Sequence, residues 1–74
     1  MKQQVEEFLA NLLSMGMKQD QAVEQGYKFA LALLQANEEV GASISATTMF
    51  RASEMVKDAI PGAYRIYQLR NRIR

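Results

Sequence analysis

Apolar residues recur every three or four positions along almost all of this 74-residue sequence. The first stretch places five of them at i, i+3, i+4, i+7 and i+8, which is the spacing of one helix face: Val5, Phe8, Leu9, Leu12 and Leu13. No stretch has the strict alternation of a half-buried strand. Gly16 follows, and a left-handed glycine commonly ends a helix. The pattern predicts an all-α fold with a first helix at about residues 2–15.

A second helix is predicted at about residues 19–40, with Gly41 ending it. It carries two apolar stripes at helical spacing, Val23, Gly26, Tyr27, Ala30, Leu31 and Leu34 on one and Phe29, Leu33, Ala36 and Val40 on the other. Between residues 29 and 34 the helix is apolar almost all round, which is typical of a buried helix. We therefore expect this helix to be the central one of a bundle.

The third helix is predicted to begin at Ala46, with Ser45 as its N-cap. Ile44 and Met49 stand at the two positions of a hydrophobic staple. Its inward face is expected to hold Met49, Ala52, Ser53, Val56, Ala59 and Ile60.

Pro61 divides the last part of the chain, because proline lacks an amide and disfavours helical backbone in the residue before it. We favour two helices here, at about residues 46–60 and 61–73, with Asp58 able to cap the second one. The alternative is one long kinked helix from residue 46 to residue 73. The prediction is a single domain over residues 1–74, an all-α bundle of three to four helices.

The sequence gives little support for a catalytic or metal-binding function. The sequence has no Cys and no His, so it lacks disulfides, thiolate sites and the commonest general base. Two pairs of carboxylates lie four residues apart, Asp20 with Glu24 and Glu54 with Asp58. Each pair supplies too few oxygen ligands for a hard cation and lies near a lysine. We expect no enzyme activity, no cofactor, no metal and no small-molecule substrate.

The longest apolar run is Phe29–Leu34, whereas a membrane helix needs about 20 residues. Glu6 and Glu7 interrupt the first apolar stretch, which is unlike a signal peptide. We therefore expect an intracellular, cytoplasmic protein with no membrane partner. Apolar residues make up 49% of the chain. With no disulfide to stabilise so small a domain, this content favours a homo-oligomer or docking on a larger protein.

Two sets of residues are predicted to form that interface. Small residues at spacing four allow two helix backbones to approach closely, within the chain or in a second copy; they are Ala22, Gly26 and Ala30. The competing interpretation is a glycine that is merely tolerated. Phe50 and Met55 lie off the inward face of the third helix, so they are candidates for an exposed apolar patch.

Charge is unevenly distributed along the chain. Residues 1–40 carry three basic and six acidic side chains, and residues 41–74 carry six basic and two acidic ones, giving charges of −3 and +4. The last turns hold a possible basic contact surface of Arg65, Arg70, Arg72 and Arg74 with Tyr64 and Tyr67. These arginines can complement the helix dipole, pair with acidic side chains of a protein partner, or contact nucleic acid.

A short stretch, Leu12–Met17 followed by Gln21 and Ala22, resembles the Met-Gly loop of ubiquitin-associated domains. That family is a bundle of three helices, so the resemblance implies a helix–glycine–helix junction here. Its second helix is far shorter than the one predicted for this chain, and its ubiquitin-binding role is not carried over. From the residues, the expected function is a non-catalytic helical module for protein–protein interaction, and the alternative is a small nucleic-acid-binding or transcription-modulating protein.

Overall fold

The computed structural model describes residues 1–37 and 44–73. They form three helices, α1 (Lys2–Ser14), α2 (Gln19–Asn37) and α3 (Ala46–Ile73), and these described residues include no strand. The all-α prediction is confirmed. The expected end of the second helix at Val40 and Gly41 lies outside the described residues.

The helices run up, down and up, so that α1 and α3 are parallel. Gly62 lies against Glu6, and Arg70 further along α3 bonds to Asn11 further along α1. α2 is antiparallel to α3, because its start contacts the later part of α3, through Gln19 and Tyr64. The α1–α3 contact is the most extensive of the three. α2 packs against both other helices.

α1 ends in the predicted glycine turn. Gly16 has a φ of 91°, a left-handed conformation that favours glycine. The Gly16 amide donates to the Leu13 carbonyl oxygen at 3.0 Å, and the Met17 amide donates to the Leu12 carbonyl oxygen at 3.1 Å. This pair of bonds is a Schellman motif, which satisfies carbonyls that the end of a helix leaves open. The prediction for Gly16 is confirmed.

α3 begins at a capped end, as predicted. The Thr48 amide donates to Ser45 Oγ at 3.2 Å, and the two hydroxyl oxygens lie 3.0 Å apart. Thr48 is buried, and it opens the inward line of α3 that continues through Ala52 and Val56. The expected inward position of Met49 is wrong, because this line starts one residue earlier and leaves Met49 46% exposed.

α3 continues without a break through Pro61, so the favoured separation into two helices is wrong and the alternative of one long helix is observed. Asp58 caps no helix start and lies exposed within α3. The physical reason is that Pro61 faces solvent, where water can satisfy the carbonyl that the proline leaves without a donor. Ala59 and Ala63, on either side of it, are buried against the bundle and hold both halves of α3 in line.

Small residues form most of the core. Six of the ten buried apolar residues in the described part of the chain are alanines, namely Ala10, Ala22, Ala30, Ala52, Ala59 and Ala63. Larger apolar side chains lie half-buried around them. Phe8 of α1 and Phe29 of α2, for example, stack with ring centroids 4.3 Å apart and planes 2° apart. α2 therefore buries one narrow stripe and leaves its flanking apolar residues partly exposed.

Candidate interaction surface

The small-residue stripe of α2 lies inside the chain. A Cβ atom at Gly26 would stand 2.7 Å from Leu9 Cδ2 and 3.7 Å from Val56 Cγ1. The missing side chain therefore allows Leu9 of α1 to lie against α2, whereas the distance to Val56 of α3 is an ordinary van der Waals contact. Of the two alternatives for Ala22, Gly26 and Ala30, packing within the chain is the one observed, and their burial leaves no surface for a second copy.

Part of the predicted basic surface is used to hold α3 against the other helices. Arg70 Nη1 donates to Asn11 Oδ1 at 2.6 Å, and the Tyr64 hydroxyl donates to Gln19 Oε1 at 2.8 Å. Tyr64 and Tyr67 are half-buried and meet edge to face, with ring centroids 6.4 Å apart. These contacts join the end of α3 to the ends of α1 and α2 that face it.

The remaining described arginines lie on a different side of α3. Arg65 and Arg72 are exposed and seven residues apart, so they share one side of the helix at 100° per residue. Arg70 is turned about 140° or more from both. Arg74 lies outside the described residues. The predicted basic surface is therefore divided, with two arginines facing solvent together and one engaged by α1.

Exposed apolar side chains gather at the end of the bundle where α1 and α3 begin. We call these residues the apolar end: Met1 (47% exposed), Ile44 (38%), Met49 (46%) and Phe50 (65%). Ile44, Met49 and Phe50 fall within seven consecutive residues. Met1 lies at the same end, because its Sδ atom is 3.5 Å from Nδ2 of Asn37, the last described residue of α2.

A groove of about 310 Å³ adjoins the apolar end and runs between the start of α1 and the outer side of α3. It is lined by Lys2, Phe50, Arg51, Glu54, Met55 and Asp58. Two of its lining residues, Phe50 and Met55, are apolar. The charged ones include both signs, so the groove combines an apolar surface with a balanced set of charges.

Phe50 and Met55 were both predicted as candidates for an exposed apolar patch. Both line this groove, but only Phe50 is exposed, because Met55 is half-buried and packs against the core. Lys2 and Met1 were not predicted. Their place depends on how the start of α1 packs beside α3, which no local pattern encodes. The exposure of Met49 could have been predicted from the sequence. Thr48, Ala52 and the buried Val56 stand at i, i+4 and i+8, so they form one helix face that does not include Met49.

The described residues contain no group of three or more His, Cys, Asp or Glu side chains able to hold a metal ion. A void between the helices, lined in part by Leu9, Ala22 and Ala63, has room for about one water-sized sphere. Within the described part of the chain, every helix is too short or too polar to cross a membrane.

Comparison of the chain with family models, with curated proteins and with solved structures found no match. The function is therefore inferred from the packing and surface of the chain itself.

Proposed function

We propose that this protein is a non-catalytic helical module that binds a second copy of itself through the apolar end and the adjoining groove. The observation that carries the proposal is the clustering of four large exposed apolar side chains at one end of a small bundle. Large apolar residues exposed together mark interaction surfaces, whereas single ones are ordinary. The other large exposed apolar residues in the described part of the chain, Met15 and Leu69, number two rather than four and lie at the other end of the molecule.

The elongated shape supports association. The radius of gyration is 13.0 Å, against about 11.3 Å for a compact domain of this length. The accessible surface is 5198 Å², and a compact monomer of 8.4 kDa has roughly 4,600 Å². The excess of roughly 600 Å² approaches the ~800 Å² that each partner buries in a standard interface. A second copy can thus cover surface that the chain alone leaves exposed.

Phe50 is expected to contribute most. An aromatic side chain presents roughly 200 Å², and Phe50 is 65% exposed, so its full burial removes about 130 Å² from water. At about 25 cal/mol per Å² this stabilises the complex by about 3 kcal/mol for each copy. Association costs roughly 4–15 kcal/mol in lost freedom. Phe50 from both copies contributes about 6 kcal/mol, which offsets the lower part of that range, and further burial of the exposed methionines Met1 and Met49 adds to it.

The experiment is a measurement of mass against concentration by analytical ultracentrifugation, at low and at high salt. We expect the mass to rise from one chain to two as the concentration reaches the high micromolar range, with weak dependence on salt. The variant Phe50→Ser should remain monomeric. Leu69→Ser is the matched control, because Leu69 is also a large exposed residue of α3 and lies far from the apolar end; it should dimerise normally.

A wild-type protein that stays monomeric at high micromolar concentration would contradict the proposal, and so would equal effects of the two serine variants. Titration of the same samples with duplex DNA at low salt tests the alternative function. Binding that weakens steeply with added salt and depends on Arg65 and Arg72 would favour nucleic-acid recognition instead.

A further inference from the structure

We propose that the dimer is two-fold symmetric, with Phe50 of each copy seated in the groove of the other and Lys2 of each copy paired with Asp58 of the other. This inference rests on the proposed self-association and specifies its geometry. The inference rests on one property of the groove: the groove of one copy is complementary to the groove of a second copy.

The apolar part of that property comes from Phe50 and Met55. Phe50 projects from α3 with 65% of its surface exposed and lines one edge of the groove, while Met55, half-buried and about 140° further around the helix, lines the other edge. The same patch therefore offers both a projecting aromatic side chain and an apolar surface to receive one. A two-fold axis places identical patches against each other, so each copy inserts and receives one Phe50.

The charged part comes from residues on opposite sides of the groove. Lys2 belongs to α1 and Asp58 to α3, and both side chains are exposed. Glu54, in the same groove, already lies 3.8 Å from Lys57 of its own helix. Lys2 and Asp58 carry opposite charges and belong to different helices, so a second copy that covers the groove can meet both. A two-fold arrangement forms the Lys2–Asp58 contact twice in each dimer.

This geometry also limits the size of the assembly. In a two-fold contact the same surface is used on both copies, so none remains to bind a third chain. A head-to-tail contact between different surfaces would instead continue into longer oligomers. The proposal therefore requires the mass to stop at two chains.

The test mixes two charge-reversed variants, Lys2→Glu and Asp58→Lys. Alone, each variant brings like charges together twice per dimer, and its dissociation constant should rise about tenfold, the scale of two exposed ion pairs. Mixed together, the two variants should form a heterodimer in which both contacts again join opposite charges. Native mass spectrometry should show this heterodimer well above the statistical half of all dimers.

Mixing distinguishes contacts between copies from contacts within one chain, because it leaves the charges inside each chain unchanged. Lys18→Glu mixed with Asp20→Lys is the matched control. These residues are exposed and of opposite charge, and they lie at the other end of the bundle, so their mixture should be statistical. Circular dichroism of each variant checks that the helices are intact.

Wild-type dimers combined with a statistical mixture of the groove variants would overturn the two-fold geometry and leave self-association standing. Growth of the wild-type mass beyond two chains would do the same. A monomeric wild type would overturn both proposals.

Discussion

Replacing Pro61 with alanine should make the protein more stable. Pro61 lies in the interior of α3, where it has no amide to donate to the carbonyl four residues earlier, and its ring crowds that carbonyl. Its own side chain is exposed, so the change removes no buried contact. If Pro61 instead began a separate helix, alanine would bring no such gain, because the first amides of a helix have no partner within it.

The expected gain can be worked out from the position of Pro61. Proline in a helix interior is about 3 kcal/mol less favourable than alanine. That difference is measured against the unfolded chain, so it already includes the greater flexibility of alanine there. The free energy of unfolding should therefore rise by about 3 kcal/mol. For a domain of this size, this corresponds to a melting temperature higher by roughly 12–24 °C.

The assay is urea unfolding followed by far-ultraviolet circular dichroism. Protein concentration must be the same for every variant, because self-association adds to apparent stability. Gln68→Ala is the control, since Gln68 is an exposed residue of the same helix, and its effect should stay within about 0.5 kcal/mol. A midpoint for Pro61→Ala that is unchanged or lower would refute the reasoning and indicate that α3 is divided at Pro61.

Two further substitutions test the packing and capping of the helices. Gly26→Ala should lower the free energy of unfolding by about 1 kcal/mol, because crowding the buried Leu9 outweighs the gain in helix propensity; stabilisation in the same urea assay would contradict the close approach. Ser45→Ala should cost about 1 kcal/mol, because the Thr48 amide loses its acceptor. Thr47→Ala, at an exposed neighbouring position, should be nearly neutral, and equal losses at the two positions would argue against a specific cap.

The helix ends could be predicted because the interactions that form them are local. The turn at Gly16 and the cap at Ser45 each depend on hydrogen bonds between residues no more than five positions apart. The continuity of α3 could not be predicted in the same way. Proline chemistry alone favours a break at Pro61, and only the burial of Ala59 and Ala63 against the other helices keeps the two halves together.

Only part of the candidate site could be predicted, because some of its residues come together through packing between helices. Phe50 stands off the inward face of α3, which periodicity reveals, whereas Met55 lies at the flank of that face and packs against the core. Lys2 approaches them only because α1 and α3 are parallel, which is a property of the whole bundle. The division of the arginines, by contrast, was already contained in the sequence. At 100° per residue, Arg70 cannot share a side of a helix with Arg65 and Arg72.

The parallel pairing of α1 with α3 also determines the order in which the chain can fold. α1 and α2 are joined by only four residues, so bringing them together costs little loop entropy. Their contact is the least extensive of the three, however, and buries too little to persist alone. The largest contact joins segments as distant as Asn11 and Arg70, which are 59 positions apart. We therefore expect the arrival of α3 to be the rate-limiting event, and a nascent chain to acquire stable structure only after α3 has been synthesised.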